Sequence, residues 1–268
     1  LSPAARGDLE CDLLARLSRL AGRVLFAEFS LLRQRRQGGF ALLFSPGHGQ
    51  IPDDLYREFT TRLRGERLLE FLAEYPALAR LLALTTLFWT EEHAEMLARL
   101  ATDWPDITGF FPDRRPGDEI ASVEPSLSDP HNHGRTVCVL TFASGWKLVY
   151  KPRDLGVEVA FSRLLAWLND RRAPVPFRPI QMLNRATHGW VEHFGAAPCA
   201  DVSGARRFHE RAGALLCLLY VLDATDCHHG NVLAHDDHPM LIDLETLLHP
   251  FRGPESVPAG FGANLRAQ

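Results

Sequence analysis

The chain has 268 residues, 46% of them hydrophobic, with a formal charge of −4 and a pI near 6.3. That length supports one large domain or two small ones with an ample core, and the charge balance gives no electrostatic footprint for nucleic acid. The five cysteines are scattered without a C-x-x-C pair, which argues against a structural zinc site or a disulfide framework and fits a reducing compartment; no signal peptide or apolar run of transmembrane length is present.

Residues 8–36 place Leu9, Leu13, Leu14, Leu17, Leu20, Val24, Leu25 and Phe29 at helical spacing, with Arg and Glu on the other face. Gly38-Gly39 and Pro46-Gly47 mark a loop. Residues 53–74 predict a second helix opened by Asp53 and Asp54, and residues 77–101 one or two more, Leu-rich and ending near Asp103. These are core helices with no catalytic signature. Pro105, Gly109, Pro112, Pro116 and Gly117 then break the pattern, and a boundary is expected near residue 118.

Beyond it the period changes to two. Strands are predicted at 120–123, 136–142 and 146–150, the last running into Lys151. A helix follows at 156–169, with Glu158 near its start; Glu158 is a possible partner of Lys151, but surface exposure is the favoured expectation for it. Strands at 180–183 and 189–194, a connection at 198–205 and an apolar helix at 212–223 complete the series. Only Lys147 and Lys151 are lysines among 29 basic residues, so a lysine at 151 hints that a compact ammonium is wanted there. The polar turn at 128–135, S-D-P-H-N-H-G-R, reads equally as a hairpin turn or as a site where Asp129, His131 and His133 do acid–base work and Arg135 holds a phosphate. Its H-N-H letters do not make a nuclease motif, whose ligand histidines lie far apart.

The most informative stretch is residues 226–245, D-C-H-H-G-N-V-L-A-H-D-D-H-P-M-L-I-D-L-E. Asp226, His228 and Asn231 form one polar cluster and Asp243 and Glu245 a second. Two short strands, 231–234 and 239–242, are predicted between them. The order helix, polar loop, hairpin, acidic residue is that of a kinase active site. There, Asp226 would handle the substrate hydroxyl proton, His228 would support developing charge, and Asn231 and Asp243 would offer the oxygen ligands that Mg2+ prefers. V-Y-K at 149–151 stands where kinases carry their phosphate-binding lysine, and D-x-H-x-x-N resembles the loop of phosphoinositide-type lipid kinases more than the H-R-D order of protein kinases. The alternative is that Asp226 and Asn231 only cap turns; two clusters in this order favour the functional reading.

Taken together, S-D-P-H-N-H-G-R-T-V, K-L-V-Y-K-P-R, L-L-A-W-L-N, N-R-A-T-H-G-W-V-E, T-D-C-H-H-G-N and L-I-D-L-E-T-L resemble the dehydratase domain of class II (LanM-type) lanthipeptide synthetases, and the helical stretch from E-Y-P-A-L-A-R-L-L to A-R-L-A-T-D-W is similar to the segment before it. The resemblance implies an α+β fold: a helical N-terminal region at 1–117, a kinase-like N-lobe of antiparallel sheet plus helix at 118–197, and a truncated C-lobe at 198–268. It implies a bacterial, cytoplasmic enzyme using ATP and Mg2+ to phosphorylate Ser and Thr of a leader-bearing precursor peptide, then eliminating phosphate to give dehydroalanine and dehydrobutyrine. A separate zinc cyclase domain would add Cys thiols to them. Lys151, Asp226, His228, Asn231, Asp243 and Glu245 are then expected to serve phosphorylation, with Asn231 and Asp243 on the metal, and Asp129 and His131 to serve elimination. Gly230 departs from the Glu usual in the family.

The chain starts with Leu rather than Met and runs into a Gly/Ala-rich tail after Pro254, so it reads as a fragment. As a fragment it is expected to be inactive alone, with Leu215, Leu216, Leu218, Leu219 and Val221 short of cover. Two rival readings are a small-molecule or lipid kinase, which leaves the Asp129/His131 turn unexplained, and a non-catalytic peptide-binding module, which leaves the full set of catalytic letters unexplained.

Overall fold

The computed structural model describes residues 1–37, 53–64, 66–111, 118–244 and 246–248. The architecture is α+β, with helices first and antiparallel strands after them. The chain divides into two compact units, Leu1–Pro152 and Arg153–Gln268. Among the described residues no single helix is long and apolar enough to cross a membrane.

The first unit opens with α1 (Pro3–Gln37), α2 (Asp53–Arg62), α3 (Glu66–Glu74) and α4 (Pro76–Phe110). Ser2 caps α1: its hydroxyl accepts the Ala5 amide at 3.0 Å and donates to the Ala121 carbonyl at 2.9 Å, so the cap also fastens the helix to the strand beyond it. In the predicted apolar stripe Leu9 is buried but Leu14 is 65% exposed. Leu13 and Leu14 are adjacent, so their side chains diverge around the helix and both cannot face one core. The helix predicted over 53–74 is two helices, α2 and α3, and the sequence between them carries Gly65, a residue costly inside a helix. The helix predicted to end near Asp103 instead continues through Pro105 to Phe110. Ile107 and Phe111 are buried at 0% and 3% exposure, and their burial outweighs the hydrogen bond the proline removes.

Three antiparallel strands follow: β1 (Ile120–Glu124), β2 (Cys138–Phe142) and β3 (Lys147–Lys151). Leu140 pairs with Leu148 across β2 and β3, and both are fully buried. The β2–β3 turn needs Gly145, whose φ of +86° lies in the left-handed region. β2 starts two residues later than predicted because Thr136 turns its amide and hydroxyl to the Glu92 carboxylate rather than to a strand partner.

The second unit contains α5 (Gly156–Asp170), the hairpin β4 (Met182–Asn184) and β5 (Gly189–Glu192), α6 (Val202–Val221), and the hairpin β6 (Val232–His235) and β7 (His238–Leu241). Its core joins Phe161 and Leu165 of α5 to Leu215 and Leu219 of α6 and to Leu241 and Leu244. α6 begins ten residues before the predicted 212, because Asp201 caps it by accepting the Gly204 amide at 2.6 Å and its first half is amphipathic rather than apolar. Of the α6 side chains expected to lack cover, Leu215 and Leu219 are buried, whereas Leu216 and Val221 are 68% and 70% exposed.

Candidate active site

In the second unit the end of α6 sets up the polar loop. Asp223, with φ +50°, turns the chain out of the helix, and the Ala224 amide closes back on the Leu219 carbonyl at 3.0 Å. The loop that follows is held by its own polar groups. The Asn231 amide group donates to the Asp226 carbonyl at 2.9 Å, the Asn231 N–H donates to the His228 carbonyl at 2.9 Å, and the Asp226 N–H donates to Thr246 Oγ1 at 3.1 Å. The Ile242 N–H donates to the Asn231 carbonyl at 3.0 Å, which brings the end of β7, and Asp243 after it, beside the loop. The hairpin therefore returns the chain so that Ile242, the residue before Asp243, is hydrogen-bonded to Asn231.

Asp226 and His228 have side chains 64% and 57% exposed, with His228 Nε2 3.7 Å from Asp226 Oδ1. Both are open to a substrate. The His228 ring folds back so that Nδ1 accepts the Gly230 N–H at 3.0 Å, and a Cβ at position 230 would come within 2.9 Å of that ring. Gly230 thus permits a curled His228 that a larger residue would displace. The Asn231 amide nitrogen is used on the Asp226 carbonyl, so a cation held by this side chain would meet its oxygen, and the Asp243 carboxylate would offer a second hard donor of the kind Mg2+ accepts. Glu245 lies outside the described residues.

Glu158 corrects an expectation. It is not on the surface but 3% exposed, with Oε1 2.6 Å from Arg153 Nη1. Burial of a carboxylate requires a partner, and an arginine five residues earlier provides one. The other arm of the same guanidinium, Nη2, lies 2.8 Å from Asp243 Oδ1. Sequence reasoning missed Arg153, although it stands in the K-P-R letters already singled out for Lys151.

In the first unit Lys151 ends β3 and is buried at 9% exposure, whereas Lys147 lies on the surface 3.5 Å from Glu124. The turn at 128–135 closes by paired hydrogen bonds between His131 and Arg135, and Asn132, His133 and Gly134 in succession have positive φ. The side chains of Asp129 and His131 are exposed, and His133 packs edge-on against Phe88 at 5.0 Å. Arg135 Nε lies 2.6 Å from Glu95 of α4 and its Nη1 donates to the Asn132 carbonyl at 2.5 Å, so it fastens the turn to the helix. The Glu95 carboxylate raises the Arg135 pKa above its ordinary value. Beneath the turn, Glu92 accepts from the Thr136 N–H at 2.6 Å, from the Thr136 hydroxyl at 2.8 Å and from Arg16 at 3.0 Å. Arg16 also reaches Asp12 at 2.8 Å and Ser126 at 3.0 Å. Glu92 and Arg16 were invisible to sequence reasoning; the one hint was two adjacent glutamates, Glu91 and Glu92, inside a Leu-rich helix.

Residues 75–266 match a family described as "Domain of unknown function (DUF4135)". Over 129 residues, 45% of the chain, the sequence is 32% identical to the "Lacticin 481/lactococcin biosynthesis protein LcnDR2" of Lactococcus lactis subsp. lactis. That alignment spans 14% of the relative's length.

Proposed function

We infer, from the premise that this chain belongs to the DUF4135 family, which is related to the lanthionine synthetases, that it carries the dehydratase chemistry of a lanthipeptide synthetase. The observation that supports this reading is the closed loop and hairpin of the second unit, in which Asn231 is tied to Asp226 and accepts a hydrogen bond from Ile242, the residue before Asp243. The similarity to a protein named for lacticin 481 biosynthesis supports a precursor peptide as the substrate. The partners are then that peptide and a cyclase domain, in the cytoplasm of a bacterium.

In the proposed phosphorylation a Ser or Thr hydroxyl oxygen bonds to the terminal phosphorus of ATP, the bridging P–O bond to ADP breaks, and the hydroxyl proton passes to Asp226. His228, exposed beside Asp226, stabilises charge developing at the hydroxyl. Lys151 would contact the phosphates, and Asn231 and Asp243 would hold Mg2+, whose chemistry there would be neutralisation of phosphate charge. In the proposed elimination a base at the 128–135 turn, Asp129 or His131, takes the α-proton; the Cβ–O bond to phosphate breaks and a carbon–carbon double bond forms. The α-proton is poorly acidic, so base and leaving-group stabilisation must act together. That need accounts for acid–base residues in a turn where kinases carry glycines.

Asp243→Asn removes the anionic ligand and Lys151→Ala the phosphate contact. In the full-length enzyme each is expected to abolish peptide-dependent ADP release while the circular dichroism is retained. Undiminished ADP release by either variant at saturating peptide overturns the assignment.

A further inference from the structure

Arg153 bridges two carboxylates far apart in sequence. Its Nη1 lies 2.6 Å from Glu158 Oε1 and its Nη2 2.8 Å from Asp243 Oδ1. The two partners differ sharply. The Glu158 side chain is 4% exposed and belongs to the first turn of α5, inside the unit; that of Asp243 is 42% exposed and follows β7. A guanidinium is a rigid planar fork, so fixing one arm aims the other. Glu158 fixes Nη1, and Nη2 is thereby aimed at Asp243. We propose that Arg153 is a positioning residue for the cation site: held by buried Glu158, it orients the Asp243 carboxylate by one oxygen so that the other faces the divalent cation. This rests on the reading of Asp243 as a metal ligand.

An opposite role has to be weighed, because a guanidinium next to a metal ligand also repels a metal. Two charges of one sign a few Å apart interact by several kcal/mol even at an effective dielectric near 20. Here, however, the guanidinium is paired with Glu158, and the Arg153–Glu158 pair is net neutral as seen from the cation site. The repulsion is offset and the geometric effect remains. Groups that orient a ligating carboxylate in this way shift metal affinity by roughly 10–100-fold. The pair also links α5 to the β7 end, so a movement of α5 would be felt at Asp243.

The test separates geometry from charge. Arg153→Lys keeps the charge, but a single ammonium cannot hold both carboxylates with a planar fork. The double variant Arg153→Met with Glu158→Gln removes the pair without changing net charge, and a buried ion pair replaced on both sides is usually tolerated by the fold. Mn2+ binding to the full protein is measured by electron paramagnetic resonance, with and without adenylyl imidodiphosphate, alongside thermal unfolding. Both variants are expected to fold and to bind Mn2+ about 10–100-fold more weakly. A purely structural pair would change the unfolding temperature and leave Mn2+ affinity alone; that result, or tighter binding, overturns the proposal. Asp243→Asn is run beside them. If it too leaves Mn2+ binding unchanged, the assignment of Asp243 has failed; if it weakens binding while both Arg153 variants do not, the failure belongs to Arg153 alone.

Discussion

Replacing Glu92 with glutamine keeps the shape of the side chain and removes its charge. In the protein that carboxylate is 3% exposed and accepts three hydrogen bonds, two from Thr136 and one from Arg16. The amide oxygen can still serve Thr136, but the amide nitrogen then faces the Arg16 guanidinium, donor against donor. Breaking one side of a buried ion pair costs about 3–5 kcal/mol. Arg16 retains Asp12 at 2.8 Å, which places the expected loss at the lower end, about 3 kcal/mol. The effect is local, because the lost contacts hold the base of the 128–135 turn. Amide hydrogen exchange across residues 126–137 therefore reads it best: about 3 kcal/mol corresponds to exchange roughly 100-fold faster there, with α6 and the second hairpin unaffected. A change below about 1 kcal/mol, the value of a surface ion pair, would refute the view that α1 and α4 anchor the turn.

Gly189→Ala places a Cβ 2.2 Å from Cδ1 of the fully buried Leu155 and 3.1 Å from the Leu183 carbonyl. Overpacking of this kind costs about 1–3 kcal/mol, and denaturant unfolding should show the loss; an unchanged midpoint contradicts it. Asp237 is held 2.6 Å from Arg211 and 2.5 Å from Arg207, and these partners depress its pKa below the usual carboxylate range. The folded protein then binds that proton less tightly than the unfolded chain, so the contribution is complete above an unfolded pKa of about 4 and is lost as pH falls below it. Asp237→Asn should flatten the acid limb of the stability profile, and parallel profiles for variant and parent would show that the pair contributes nothing.

The α+β class and the order of elements were legible in the sequence because periodicity reports which face is buried. Boundaries were less so. α4 runs past Pro105 because Ile107 and Phe111 are buried, and β2 starts late because Thr136 has a better partner in Glu92; both depend on residues distant in sequence. The polar loop and the hairpin after it were legible because both are local structures whose residues lie within twenty positions of each other. Arg153 and Glu158 were not, since a charged residue near a helix start is ordinarily solvated, and the pairing of Arg153 with Asp243 joins residues far apart in sequence. Glu92, 44 residues from Thr136, was beyond any local signal.

The division of labour between the two clusters is tested most directly by mass spectrometry of a precursor peptide incubated with ATP and the full-length synthetase carrying single substitutions. The parent enzyme should give peptide that has lost water at Ser and Thr. Asp226→Ala should leave the peptide unmodified, whereas Asp129→Ala and His131→Ala should leave it carrying phosphate. Unmodified peptide from Asp129→Ala, or phosphate retained with Asp226→Ala, would contradict the assignment of transfer to the loop and elimination to the turn.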